Sequence, residues 1–236
     1  MSRRGKSTRL GSLVLAAAMA GAPPAGLAMP ASATAASSTA ASSGPASSTP
    51  ASTAPASGPR YGTHGWAGHA WHTSSRQVTA SLRLPSVSPA ANAGAAFWAG
   101  FGTGPGIEQA GFTANMVGGH LRWTAWYELY PSPPAGFGKA AYSGDYVSMT
   151  VTYRGGGWFT LTVCDVTRHW TATVTRHATV VSMGTAEAIV EAYGPPLARF
   201  SPATFGHVSA AARTWTYSMP GAHASALRQG TFTVRP

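Results

Sequence analysis

From Val78 onward apolar and polar residues alternate with a period of two, and almost nowhere with the spacing of a helix. Runs rich in Thr, Val, Trp and Tyr are separated by clusters of Gly, Pro and Ser, the pattern of strands and turns. The alternation predicts strands over Val78–Leu84, Ala96–Gly102, Ile107–Thr113, Leu121–Tyr130, Tyr146–Tyr153, Trp158–Val166, Trp170–Thr175, Ala186–Tyr193 and Phe232–Arg235. Breakers fall between them at Pro131-Ser132-Pro133-Pro134, Ser143-Gly144-Asp145, Gly155-Gly156-Gly157 and Gly194-Pro195-Pro196. Arg154–Gly157 joins its two neighbours as a hairpin. Many short strands with turn signals between them predict an antiparallel all-β sandwich or barrel. No internal repeat is detectable.

The faces of these strands differ in kind. Strand alternation puts Trp126, Glu128 and Tyr130 on one face and Trp123, Ala125, Tyr127 and Leu129 on the other. Likewise Glu187, Ile189, Glu191 and Tyr193 oppose Ala186, Ala188, Val190 and Ala192, and Gln109 and Thr113 oppose Ala110 and Phe112. Several strands thus pair an ordinary apolar face with one that carries carboxylates, an amide and aromatics. A solvated outer face would carry more Thr, Ser and Lys and less Trp, so the second face is expected to line a groove for an extended polymer.

The first quarter of the chain changes the picture of its whereabouts. Met1 to Arg9 holds Arg3, Arg4, Lys6 and Arg9, an apolar run follows from Leu13 to Ala20, and small residues lead to Ala31-Ser32-Ala33. This is the layout of a secretory signal peptide over residues 1–33, with an apolar run too short for a spanning helix. Residues 34–59 are nearly all Ala, Ser, Thr, Pro and Gly, with no large side chains to offset the entropy of ordering. They are expected to be a disordered linker or pro-segment. Residues 60–236 then form one domain large enough for a proper core. The expectation is a secreted monomer with no stable membrane association.

The formal charge is +10, but four of the sixteen basic residues belong to the leader, leaving twelve against six acids in the domain. They are scattered singly rather than in a stripe interleaved with aromatics, so no nucleic-acid partner is expected. Cys164 is the only cysteine, so no disulfide forms within the chain, and it is expected to be a small buried hydrophobe. With so few acids, the place of each one is informative.

The segments Phe97-Trp98-Ala99-Gly100, Glu108-Gln109-Ala110-Gly111-Phe112 and Thr124-Ala125-Trp126-Tyr127-Glu128-Leu129-Tyr130-Pro131 resemble the glutamic peptidases, or eqolisins. So do Gly144-Asp145-Tyr146-Val147-Ser148-Met149-Thr150-Val151-Thr152, Thr185-Ala186-Glu187-Ala188-Ile189-Val190-Glu191 and, upstream, Gly65-Trp66-Ala67-Gly68. The resemblance runs from about Tyr61 to Ala211 in the same order. It implies a two-sheet antiparallel sandwich of the lectin-like jelly-roll kind, with polypeptide substrates and with no metal or organic cofactor. It also implies a catalytic pair, Gln109 and Glu187, with Trp66, Trp98, Trp126 and Glu128 lining or supporting the site. The chain departs from the family in lacking acids at Gly102, Thr103 and Thr113, in lacking disulfides and in its basic charge.

The chemistry is coherent for such a pair. Glu187 can take a proton from water as general base and return it to the leaving amine as general acid. A Gln109 N–H can stabilise the oxyanion, a contribution of about 3 kcal/mol for one well-placed donor. A base with the pKa of free Glu points to an acid operating range. Aromatics on a concave sheet also suit sugar rings, and Glu128 with Glu187 could form a glycosidase pair, so a carbohydrate-active or binding sandwich is the rival reading, and a catalytically silent adhesion or envelope protein a third. Glu191 lies about 13 Å along the strand from Glu187, too far to share its proton. Gly100, Gly102, Gly104 and Gly106 lead into a strand rather than a helix and are read as a turn, not a phosphate loop. His64, His69 and His72 lack the spacing and acidic partner of a metal site, and no G-x-S-x-G elbow is present.

Overall fold

A computed structural model of the chain describes residues 65–88, 93–102, 105–192, 197–208 and 214–236. The expected signal peptide and linker lie outside the described residues. The described residues form fourteen strands and no helix: β1 Trp66–His72, β2 Gln77–Arg83, β3 Gly94–Gly102, β4 Ile107–Val117, β5 His120–Tyr130, β6 Ala135–Ala141, β7 Tyr146–Gly155, β8 Trp158–Asp165, β9 Trp170–His177, β10 Thr185–Ala192, β11 Ala203–Gly206, β12 Thr214–Met219, β13 Ala222–Ala224 and β14 Phe232–Arg235. Each strand read from alternation is present. The five not foreseen are β1, β6, β11, β12 and β13, all short and most of them rich in Gly and Ala, so that few large apolar residues mark the period.

The strands join in the order β6-β5-β4-β3-β10-β1-β12-β13-β14-β11-β2-β7-β8-β9, and the named strand pairs are antiparallel. The two-sheet jelly roll expected from the resemblance is therefore met in its coarser form: one hydrogen-bonded order bends back on itself, nearly closing where β6 approaches β9. The two halves share a core. Phe97, Ala99 and Phe101 of β3, Ala110 and Phe112 of β4 and Ala186, Ala188 and Val190 of β10 face Val147, Met149 and Val151 of β7 and Phe159, Leu161 and Val163 of β8. Ring contacts bridge the halves at Phe101–Phe159, with centroids 6.4 Å apart, and at Phe112–Trp170, 6.2 Å apart.

The β7–β8 hairpin turns through three glycines, all with positive φ, with a register shift between Tyr153 and Gly155. Left-handed backbone is open to glycine at no steric cost, which is why the run of three marks this turn. Cys164 corrects the sequence reading. It is only half-buried and lies on the outer side of β8, paired with Ser148 and Thr171, because its parity is that of Thr160 and Thr162 rather than of Leu161 and Val163.

Candidate active site

The outer face of β10, β3 and β4 is buried along the middle of these strands as well as the inner one, and so are Gly68 and Ala70 of β1 and Trp126 and Glu128 of β5. Every residue of β3 is buried, and so are the first six of β10. A second apolar cluster of Ala96, Trp98, Trp126 and Ile189 lies on this face, with Trp66, Ile107 and Tyr217 packed against it. The faces read from the sequence for β4, β5 and β10 are the faces observed, except that Tyr193, read onto the Glu187 face, lies outside the described residues.

Register turns this face into rows that cross the strands. One row reads Ala70, Glu187, Gly100, Gln109 and Glu128, from β1 through β10, β3 and β4 to β5. The row above it holds Gly68, Ile189, Trp98, Gly111 and Trp126, and the next Trp66, Glu191, Ala96, Thr113 and Thr124. The row below holds His72, Thr185, Gly102, Ile107 and Tyr130. Glu187 and Gln109 are thus on the same face, two strands apart, about 10 Å between backbones at ordinary strand spacing. The residue between them is Gly100, so no side chain stands in the gap.

Gln109, 3% exposed, donates from Nε2 to Glu128 Oε2 at 2.5 Å. A carboxylate only accepts, so this contact sets the orientation of the amide: its nitrogen faces Glu128 and its oxygen turns elsewhere. Gln109 Oε1 is buried and has no hydrogen-bond partner among the described residues. Glu187, 5% exposed, accepts from the Thr185 hydroxyl on Oε1 at 3.2 Å, while its Oε2 is also buried and unpartnered. Thr185 bonds the Gly102 carbonyl too. The Glu187 carboxyl lies over Gly102, where a Cβ would meet Oε1 at 2.9 Å and Oε2 at 3.0 Å. Two orphan acceptors, an amide oxygen and a carboxylate oxygen, therefore sit in one row of a buried face. Buried polar atoms in folded proteins are nearly all satisfied, and orphans concentrate where something else binds.

The tryptophans frame this row. Trp98 Nε1 donates to Glu191 Oε2 at 2.9 Å, and the Trp66 indole also hydrogen-bonds Glu191. Trp66 meets Trp98 edge to face at 5.1 Å and Tyr217 at 5.8 Å. Trp126 is buried, with Nε1 unpartnered. Glu191 is thus held by two indoles one turn of the pleat beyond the central rows.

Burial governs the electrostatics. It pushes the Glu187 carboxyl up to about 7, opposed by the Thr185 hydrogen bond and reinforced by the charge of Glu191. It pushes Glu128 up to about 7 as well, against the hydrogen bond from Gln109. Glu191 is raised for the same first reason, against its indole donors. The acid range expected for Glu187 assumed the pKa of a free Glu, and its burial removes that premise.

Glu128 and Glu187 are three strands apart with Gln109 between them, rather than facing each other across an open cleft. His69 is buried, bonded to the Ser225 carbonyl at 2.8 Å, and burial lowers its pKa. His64 lies outside the described residues, and among the described residues no three His, Cys, Asp or Glu side chains gather as metal ligands. Three contributors were given no part in the site by the sequence: Thr185, and Gly100 and Gly102, which were read as a turn but lie within β3, while Gly104 lies outside the described residues. Parity with Glu187 along β10 would have found the first, but the glycines acquire meaning only from the strand order.

A family model described as the Peptidase A4 family matches residues 64–234. Among solved structures, the chain is similar to scytalido-glutamic peptidase with a transition-state analogue inhibitor, at 21% identity and a TM-score of 0.65, covering 73% of this chain and 98% of that one. It is similar to SCP-B, a member of the eqolisin family in complex with the tripeptide Ala-Ile-His, at 19% identity and a TM-score of 0.59 over 73% and 98%. It is also similar to aspergilloglutamic peptidase from Aspergillus niger, at 22% identity and 0.52 over 60% and 98%. None of the curated proteins matches the sequence.

Proposed function

This chain belongs to the Peptidase A4 family and is a glutamic-type peptidase, a hydrolase, and on that premise we propose that it is an endopeptidase in which Glu187 and Gln109 act on one peptide bond. The observation that carries the reading is the shared row, with Glu187 and Gln109 on either side of Gly100 on a buried face. An extended polypeptide laid over Gly100 brings its carbonyl between them.

In the reaction, ionised Glu187 takes a proton from a water as the water oxygen bonds to the carbonyl carbon. The carbonyl electrons move to oxygen, and the resulting oxyanion accepts from the Gln109 N–H that is not committed to Glu128. Gln109 Oε1, held outward by the Glu128 contact, accepts a hydrogen bond from the other O–H of the attacking water, which stays on the oxygen. Protonated Glu187 then gives its proton to the amide nitrogen as the C–N bond breaks, leaving a carboxylic acid and an amine. Trp66, Trp98 and Trp126 wall the site and keep it dry, which strengthens each of these contacts.

With Glu187 pushed up to about 7, the base is mostly ionised only toward neutral pH. Action in acid remains the reading, with its lower limit set by the raised Glu187, which must be ionised to act as base. A strongly acid optimum would instead make the protonated Glu187 the working form. The basic leader, apolar run and Ala-x-Ala site support export, and scattered basic residues support polypeptide rather than nucleic acid as the partner.

The test is cleavage of a denatured protein by the parent, Glu187→Gln and Gln109→Ala chains, with melting curves to show that each is folded. Both variants are expected to be inactive. A folded variant cleaving at the parent rate would overturn the assignment.

A further inference from the structure

Directly behind Gln109, on the other face of β4, a second carboxyl points the opposite way. Glu108 shares its parity with Ala110 and Phe112, its register partners are Phe101 and Leu129, and it has no solvent exposure. Its Oε1 accepts from the backbone N–H of Ser182 at 3.1 Å, while Oε2 is buried without a hydrogen-bond partner among the described residues. The Ser182 hydroxyl accepts from the Gly106 N–H at 3.2 Å, just before β4 begins. Ser182 belongs to the segment 178–184, which leads from β9 into Thr185 and Glu187 of β10. Two hydrogen bonds therefore tie the run-up to the Glu187 strand onto the start of the Gln109 strand.

No opposite charge faces a carboxylate in this position, and only backbone N–H groups offset it. Phe101 and Leu129 flank it, Phe159 of β8 lies behind Phe101, and Tyr153 of β7 lies beyond that, 5.0 Å from Phe159. The 178–184 segment contains no titratable residue. Glu128 and Glu187 on the flanking strands, and Tyr130, are on the opposite face. An ionised carboxylate with one orphan oxygen in such surroundings is far costlier than a neutral acid.

We propose that Glu108 is a positioning residue: an uncharged carboxylic acid that clamps the segment 178–184 to β4, so holding Glu187 in line with Gln109, and whose ionisation releases the clamp. The proposal rests on the reading of Glu187 and Gln109 as the catalytic pair. Burial pushes Glu108 up to about 8, with only backbone hydrogen bonds opposing it. Because that value is raised, the neutral, clamped form is complete at lower pH and is lost as pH rises through about 8. The parent enzyme therefore has a basic limb in kcat that no group in contact with substrate produces.

The experiment compares kcat and KM against pH for the parent, Glu108→Gln and Glu108→Leu chains, with Glu187→Gln alongside. Glu108→Gln keeps an oxygen for the Ser182 N–H and cannot ionise. It is expected to retain the parent plateau and lose the basic limb. Glu108→Leu fills the same space without an acceptor, and should lower kcat about tenfold at every pH with little change in KM, the scale expected when a catalytic group is slightly misplaced. An unchanged basic limb in Glu108→Gln, or parent turnover in Glu108→Leu, overturns the proposal. Activity retained in Glu187→Gln would instead sink the catalytic reading on which it rests. Hydrogen exchange of the Ser182 amide in the Glu187→Gln chain gives a readout that needs no Glu108 variant. Its protection should fall at least about tenfold beyond the intrinsic trend as pH passes about 8, and constant protection would contradict the clamp.

Discussion

The two halves of this folded sheet are built from the same kind of strand yet finish their outer faces in opposite ways. On β2, β7, β8 and β9 burial alternates along the strands, and the outer side is a ladder of hydroxyls. Thr79 bonds Thr150 at 3.0 Å, Thr162 bonds Thr173 at 3.1 Å and Thr160 bonds Thr175 at 3.0 Å. That face satisfies itself and meets water. On β10, β3, β4 and the second half of β5 the corresponding side is largely buried, carries Trp98 and Trp126 in its central rows, and holds Gln109, Glu128, Glu187 and Glu191. Several of its polar atoms have no partner among the described residues. Burying carboxyls that nothing neutralises costs stability, and a chain with only six acids places three of them on this one face and a fourth directly behind it. The difference marks one half as scaffold and the other as the place of chemistry.

Substitutions on the two faces should break apart in size. The largest effect is expected of Glu187→Gln, with kcat reduced toward background, and then of Gln109→Ala, about a hundred- to a thousandfold lower, the usual cost of one oxyanion donor; steady-state kinetics on a fluorogenic peptide measures both. Next comes Gly102→Ala. A Cβ there would press on the Glu187 carboxyl, and kcat should fall about ten- to a hundredfold with KM less affected. Parent kinetics in this variant would mean that the carboxyl does not work from its place over Gly102.

A smaller effect concerns stability. Glu108, Glu128 and Glu187 all have values raised above that of an unfolded Glu, so the folded chain holds these protons more tightly. Their contribution is complete below about 4.5 and is lost as pH rises through 7 to 8. Buried His69, with its lowered value, acts in the opposite sense on the acid side. Melting temperature should therefore be several degrees higher near pH 5 than near pH 8, and a rise toward pH 8 would contradict the burial of uncompensated carboxyls. The smallest effect is expected on the threonine ladder: Thr162→Val should change stability by no more than about 0.5 kcal/mol and leave kcat alone.

How much of this was legible in the sequence depends on whether a feature is local. Long alternating strands such as β5, β7 and β8 declare themselves, and so do their faces, because parity needs no knowledge of the partner. Gln109 was placed opposite Ala110 and Phe112, and the structure keeps it there. Short strands with little side chain do not declare themselves: β6 is mostly Gly and Ala, and β13 is three residues long. Strand order is not local either. That β10 enters between β3 and β1, bringing Glu187 into the Gln109 row, depends on contacts far apart along the chain. Glu108 was hidden for another reason. Parity puts it on the core side, but a carboxylate beside Gln109 reads as part of the groove until its burial is seen. The same holds for the pKa of Glu187, which depends on what covers it.

The central claim is that Glu187 and Gln109 act as one unit across Gly100, and a double-mutant cycle tests it most directly. Groups that work on the same reacting atoms are strongly non-additive. The kcat of the chain carrying both Glu187→Gln and Gln109→Ala should be no lower than that of the worse single variant. Losses that multiply, each substitution costing its full factor in the presence of the other, would show two independent roles and contradict the account.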